Sequence, residues 1–133
     1  TTFLAVTIEP TADKIYYITC AHPPPILHKK SSDLSRPKIL SMRNDPLGFF
    51  PSADAKLATI DFEKGDTLVM YTDGIPISEN FRVYKEFLKS NPNTWSELPR
   101  SLYKHIWSHI QQKNGKTADD DVSIMIMERI ESV

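Results

Sequence analysis

The sequence predicts an α+β domain built on antiparallel β-structure, and three observations lead there. Short runs rich in aromatic and β-branched residues recur from Phe3 to Tyr71, separated by proline, asparagine, aspartate and glycine. Between Ser78 and Lys113 the apolar residues instead fall at helical spacing. A final run, Val122-Ser123-Ile124-Met125-Ile126-Met127, is strand-like again. Strands joined by turns, then helices, then one more strand suit one or two antiparallel sheets with helices set to the side.

Composition narrows the partners. A chain of 133 residues with 40% apolar and 25% charged side chains can bury one ordinary globular core, so residues 1–133 read as a single domain. A net charge of -1 gives no reason to expect nucleic acid or an anionic membrane as a general partner. No apolar run nears the roughly 20 residues that a membrane helix needs, so no membrane insertion is expected. Cys20 is the only cysteine, which excludes an intrachain disulfide and fits a reducing, cytoplasmic setting. Thr1-Thr2-Phe3-Leu4-Ala5-Val6 has no initiator Met and enters strand-like sequence at once; a cut through a larger protein is the expectation.

Phe3 to Glu9 reads as the first strand, with Phe3, Leu4, Val6 and Ile8 as its apolar surface. Pro10-Thr11-Ala12-Asp13 is a turn signal, and Lys14 to Cys20 makes the return strand of a hairpin. Ala21-His22-Pro23-Pro24-Pro25 cannot continue a central ladder, since proline has no N–H to donate. His22 is thereby held at a strand's exit. Pro25 to Lys29 and Lys38 to Met42 read as two short strands around a polar loop, and Asn44-Asp45-Pro46-Leu47-Gly48 is turn-rich. Ala55 to Phe62 alternates: Ala58, Ile60 and Phe62 share one side, Leu57, Thr59 and Asp61 the other. Glu63-Lys64-Gly65-Asp66 turns into Leu68-Val69-Met70-Tyr71, which is apolar on both faces and reads as a strand buried on both sides. Asp73 stands at its end, where Gly74 permits a sharp turn.

Phe81, Tyr84, Phe87 and Leu88 mark a helix that Ser78 can cap and Asn91-Pro92 ends. A second covers about Glu97 to Lys113, with Leu98, Leu102, Ile106 and Ile110 at i+4 steps. Ser96 is the better cap than Thr94, because a Thr94 cap puts Pro99 where its missing N–H is needed. Asn114-Gly115 closes this helix.

The chemistry centres on Asp73. It ends one buried strand, and Asp119-Asp120-Asp121 begins another. If those strands are antiparallel neighbours, their carboxylates converge. Converging carboxylates repel unless a cation lies between them, and hard oxygen donors favour Mg²⁺ or Mn²⁺. The plainer reading is a turn at Asp-Gly and a solvated acidic loop. His22 has two readings as well: it contacts a phosphate or a catalytic acid, or it fixes its own loop by hydrogen bonding. His105 and His109 share a helix face, yet His-Ile-Trp-Ser-His lacks the metalloprotease Glu and reads as ordinary helix surface. Cys20 in an apolar strand reads as core, and Trp95 and Trp107 as packing.

Five blocks in order go beyond pattern: Phe3 to Pro10; Ala21-His22-Pro23-Pro24-Pro25-Ile26-Leu27; Pro46-Leu47-Gly48; Lys64-Gly65-Asp66-Thr67-Leu68-Val69-Met70-Tyr71-Thr72-Asp73-Gly74; and Asp120-Asp121-Val122-Ser123. Together they strongly resemble the C-terminal part of the bacterial PPM/PP2C-type serine/threonine phosphatases of the SpoIIE and RsbU group. The resemblance implies an antiparallel β-sandwich flanked by helices (PP2C-like, α-β-β-α), here an incomplete version, with residues 1–133 as the C-terminal portion of a PPM-type phosphatase domain. It implies a site for two ions, Mn²⁺ or Mg²⁺, held mainly by aspartates. Its substrate would be a phosphorylated protein, typically an anti-sigma-factor antagonist, in bacterial signalling.

By the resemblance, Asp73 matches the metal ligand of the Thr-Asp-Gly block, followed by Gly74. Asp120 matches the first acid of the final Asp-Asp-Val-Thr block, where Ser123 replaces the usual Thr. Asp121 takes the second position, which is not usually a direct ligand, and Asp119 is extra. His22 matches the Gly-His-Pro-Pro block, but Ala21 replaces its Gly and would resist a backbone geometry that glycine permits. The family's first motif, a Gly-Asp whose acid bridges both metals, has no counterpart here, since Gly65-Asp66 belongs to a turn. The chain alone is therefore expected to be weak or inactive. The alternative is a non-catalytic phosphatase-like module that binds a protein partner, with open sheet edges and an uncovered apolar face favouring association, as in a homodimer.

Overall fold

The computed structural model describes residues 1–30, 37–51, 54–74, 86, 104–105, 107–108, 111 and 121–130. Seven strands are assigned among them: β1 (Phe3–Glu9), β2 (Lys14–Cys20), β3 (Ile26–His28), β4 (Lys38–Ile39), β5 (Ala58–Asp61), β6 (Thr67–Tyr71) and β7 (Ile124–Glu128). They form two antiparallel sheets, one ordered β1-β2-β5 and the other β4-β3-β6-β7.

The hairpin expected from the turn at Pro10 is present in full register, from Phe3 opposite Cys20 to Glu9 opposite Lys14. Pro10–Ala12 tightens into a 3₁₀ turn, and Asp13 closes it in the left-handed region at φ 53°. Aspartate accepts that conformation more readily than most residues with a side chain. β2 lies between β1 and β5, so its alternate residues Ile15 and Tyr17 face inward beside Ile60 and Ala58.

One cluster joins the sheets. Ile15 and Tyr17 from the first sheet meet Leu27 and Leu68 from the second, with Leu40 and Phe62. Val6, Met70 and Met127 pack against them. Period-two alternation turns one row of each strand inward, and shared burial of the two rows holds the sandwich together. Leu57, Thr59 and Asp61 are exposed, as their alternation with Ala58, Ile60 and Phe62 requires.

The outer faces differ. On the second sheet Ile26, His28, Thr67 and Val69 face away from this cluster, yet all are buried. This explains why Leu68 to Tyr71 is apolar on both faces. On the first sheet the opposite row is mixed: Phe3, Thr7 and Thr59 are exposed, Ala5, Tyr16 and Ile18 are half-buried, and Cys20, opposite Phe3, is buried. β7 departs from its sequence pattern: it pairs with β6 on one side only, and Met125 is 59% exposed.

The strand read from Lys38 to Met42 pairs only at Lys38–Ile39, and the one read from Ala55 to Phe62 only at Ala58–Asp61. Of the two expected helices, Glu86, Lys104, His105, Trp107, Ser108 and Gln111 are described and are helical. Their caps at Ser78, Ser96 and Thr94, their ends at Asn91 and Asn114, and His109 lie outside the described residues. Cys20 is a free, buried thiol, in keeping with a core role.

One end of the sandwich is locked by polar contacts. Asp66 is 1% exposed and accepts hydrogen bonds from Lys29 Nζ (2.6 Å), Lys30 N (2.9 Å) and Glu63 N (2.8 Å). Gly65 turns at φ 86°, and a Cβ there would collide with the Lys30 side chain. Both the positive φ and the close approach demand glycine. Arg129 pairs with Asp13 and donates to the carbonyls of Phe62 and Pro10, tying the β1–β2 turn to the end of β7. Gly65 N–H donates to the Arg129 carbonyl and Arg129 N–H to the Asp66 carbonyl.

Candidate functional site

The opposite end carries the candidate chemistry. β6 pairs antiparallel with β7, with Tyr71 opposite Ile124, so the exit of one lies beside the start of the other. This is the arrangement on which convergence of Asp73 with the acidic run depends. Asp73 and Gly74 form a turn just past β6, and the Asp73 side chain is exposed. Beyond the last paired residues Thr72 N–H donates to the Ser123 carbonyl at 3.0 Å.

A cleft of about 560 Å³ opens there. Asp73, Thr72 and Tyr71 line it from the exit of β6, Ser123, Ile124 and Met125 from the start of β7, and Phe3 from β1. His22 lines it from the exit of β2, so two residues 51 positions apart in the sequence share one concavity. Burial raises the Tyr71 phenol above its ordinary pKa, so it stays a neutral donor at physiological pH.

His22 is fixed in its own loop. Its Nδ1 lies 3.0 Å from the Pro23 carbonyl, and Thr19 Oγ1 donates to the His22 carbonyl at 2.9 Å. A carbonyl can only accept, so Nδ1 carries the proton and Nε2 is the remaining acceptor. The loop-fixing reading of His22 thus has a geometric basis, and its place in the cleft leaves Nε2 available for a second role. Ala21 before it takes φ 52°, the left-handed region. The sequence departs from the usual Gly at the position where glycine would be least strained.

Thr1 and Leu47 exchange backbone hydrogen bonds of 2.9 and 3.0 Å, which sets Pro46-Leu47-Gly48 beside the start of β1. Asn44 steadies this loop by donating to the carbonyls of Thr19 and Lys56. The blocks at His22, Leu47, Asp73 and Asp121 therefore gather at one end of the sandwich. Asp66 does not join them. Seven residues of extended chain separate it from Asp73, about 23 Å at strand rise.

As hard oxygen donors, exposed carboxylates on this rim suit a divalent cation such as Mg²⁺ or Mn²⁺. Asp73 lies in the cleft, and Asp121 is exposed in the segment that precedes β7. Asp119 and Asp120 lie outside the described residues. Among the described residues no group of three or more His, Cys, Asp or Glu side chains gathers to hold a metal ion.

The sequence profile of Stage II sporulation protein E (SpoIIE) matches residues 1–130. The chain belongs to the SpoIIE family. No curated protein matches this SpoIIE-family chain at the sequence level. Among solved structures it is similar to the phosphatase domain of the cell fate determinant SpoIIE from Bacillus subtilis, with a TM-score of 0.72 at 14% identity. That match covers 100% of this chain and 57% of the other. The RsbU and RsbW domains of a Mycobacterium tuberculosis protein match with a TM-score of 0.70 at 19% identity, covering 97% of this chain and 36% of that one. The catalytic domain of the serine threonine protein phosphatase PstP, in complex with two manganese ions, matches with a TM-score of 0.65 at 11% identity. Coverage there is 98% of this chain and 59% of the other. The fold is therefore PP2C-like and incomplete, spanning somewhat over half of the Bacillus subtilis domain.

Sequence reasoning passed over Thr72, His28 and Arg129. Thr72 was legible as the first residue of Thr-Asp-Gly. His28 and Arg129 carried no local signal, because their importance comes from strands distant in sequence.

Proposed function

We propose that this SpoIIE-family chain is the C-terminal portion of a metal-dependent phosphoprotein phosphatase domain, with Asp73 and Asp120 as ligands to Mn²⁺ or Mg²⁺. The observation that carries the proposal is the shared cleft: Asp73, His22 and the segment leading into β7 meet at one end of the sandwich. PstP, similar in fold, was solved with two manganese ions, which supports the choice of metal. When bound, such ions neutralise phosphoryl charge and acidify water for in-line attack. Asp73 would hold the cation at the rim, and His22 Nε2 and the Tyr71 phenol would offer an acceptor and a donor to the phosphoprotein. The substrate class is a phosphoserine or phosphothreonine protein, with an anti-sigma-factor antagonist as the first to try.

The test is Mn²⁺-dependent hydrolysis of p-nitrophenyl phosphate and of a phosphoprotein by the full-length protein. Asp73→Ala is expected to abolish turnover without unfolding the domain. Full turnover in that variant would overturn the assignment. Residues 1–133 alone are expected to be weak or inactive, because their only Gly-Asp, Gly65-Asp66, lies at the far end. Robust turnover by this chain would refute that part.

A second reading has its own observation. Apart from Cys20 the outward row of the first sheet is exposed or half-buried, and Met125 on the edge strand β7 is largely exposed. A non-catalytic module that pairs with a protein, including a second copy, would use such surfaces. Absence of Mn²⁺ binding in the full-length protein would favour it.

A further inference from the structure

The junction of β6 and β7 departs from a regular ladder. In an antiparallel pair of the hydrogen-bonded type, two opposed residues exchange both backbone bonds. Thr72 N–H does donate to the Ser123 carbonyl at 3.0 Å. The returning bond is different: Ser123 N–H donates to Thr72 Oγ1 at 2.9 Å. The same hydroxyl donates its own proton to the Asp121 carbonyl at 3.0 Å. One side-chain oxygen therefore accepts from residue 123 and donates to residue 121, using the donor and an acceptor site of a threonine hydroxyl.

The consequence is geometric. Asp73 follows Thr72 directly, about 3.8 Å away between Cα atoms. Asp120 precedes Asp121 directly in the sequence. The Thr72 hydroxyl thus links the chain that leads to Asp73 with Asp121 and Ser123 of the segment entering β7. The β6–β7 ladder ends just short of Asp73 and of Asp121, so backbone pairing alone leaves their separation loosely set.

We propose that Thr72 is a positioning residue, whose hydroxyl holds the Asp121–Ser123 segment against Asp73 so that carboxylates from both strands can share a divalent cation. The proposal rests on the metal reading given above and deepens it. It explains why a hydroxyl-bearing residue precedes the acid, when an apolar one would continue the strand's pattern. Groups that orient metal ligands typically change affinity by roughly 10–100-fold when removed.

The experiment is Mn²⁺ titration of the full-length protein by calorimetry, with Mn²⁺ electron paramagnetic resonance as a second readout. Four proteins are compared: wild type, Thr72→Val, Thr72→Ser and Asp73→Asn. Thr72→Val keeps the branched shape and lacks the hydroxyl; Thr72→Ser keeps the hydroxyl. Expected are a loss of about tenfold or more in affinity for Thr72→Val and near wild-type affinity for Thr72→Ser. Asp73→Asn should lose binding at this site. Circular dichroism melts run alongside, since a merely structural role would lower melting temperature and leave affinity in the folded protein unchanged.

Wild-type affinity in folded Thr72→Val, with binding lost in Asp73→Asn, would overturn the positioning role and leave the metal site standing. If Asp73→Asn binds as wild type does, the metal reading fails and takes this role with it. If Thr72→Val does not fold, Thr72→Ser decides: weakened binding in that variant refutes the hydroxyl's part, and retained binding with a retained spectrum supports it.

Discussion

Ala21→Gly is expected to stabilise the domain. Ala21 takes φ 52° between the end of β2 and the proline run, and its side chain is exposed. A left-handed conformation costs an L-residue with a Cβ about 1–2 kcal/mol, through contact of Cβ with the following carbonyl. Glycine removes that contact. It also gives the unfolded chain more freedom, which offsets about 0.4–1 kcal/mol. Little burial is lost with an exposed methyl, so the net gain should be about 0.5–1 kcal/mol. For a chain of 133 residues this raises the melting temperature by about 2–4 °C. Thermal melts followed by far-UV circular dichroism, with urea titration as a check, would measure it. Ala21→Val is the opposite control, because a β-branched residue is least tolerated there. An unchanged or lower melting temperature in Ala21→Gly would refute the claim that this position is strained. The link to function is His22, whose ring is oriented from this turn.

Two further perturbations probe the frame that holds the site. His28 is 2% exposed, and burial lowers its pKa from 6.5 to about 4. The unfolded chain therefore binds a proton more readily than the folded one between those values. Stability from this residue is full above about pH 6.5 and is lost as pH falls toward 4, with a slope of up to about 1.4 kcal/mol per pH unit. Urea midpoints measured from about pH 7 down to 5, a range above ordinary carboxylate titration, should fall in the wild type and flatten in His28→Gln; parallel curves would count against the assignment. Asp66→Ala deprives three donors of their acceptor and should destabilise by about 3 kcal/mol, the lower end for a broken buried pair because the Lys29 side chain is 25% exposed. Burial alone would lower the Lys29 pKa, but hydrogen bonds and charge from Asp66 and Glu63 overcome this and raise it. The lysine's share of the pair is therefore present at neutral pH and is lost in alkali, as the lysine passes its folded pKa. A loss under 1 kcal/mol at neutral pH in equilibrium unfolding would show that Asp66 does not anchor this end.

The strand order was legible wherever neighbours in sequence are neighbours in space. Pro10 to Asp13 announced the β1–β2 hairpin, and the alternation of Ala58, Ile60 and Phe62 announced an inward row. β7 was harder. Its residues are apolar on both faces, yet Met125 is exposed, and of the β7 side chains Met127 packs against the core cluster. Short pairings such as Lys38–Ile39 also escaped, since strand length depends on how far a partner extends.

By itself the sequence nominated the residues proposed to carry chemistry. A carboxylate after a buried strand, an acidic run before another, and a histidine held by prolines are local facts of side-chain type and spacing. The resemblance implied that Ala21 stands where glycine would be easier, and Ala21 does take φ 52°. Only the tertiary structure decided that His22 and Asp73 share a cleft, because that requires β2 and β6 to end on the same side of two packed sheets. The separation of Asp73 from Asp66 was already legible, since a single strand between them puts them at opposite ends. The bond from Thr72 to both sides of Val122 is likewise tertiary: a hydroxyl's partners lie within hydrogen-bond reach in space, about fifty residues away in the chain.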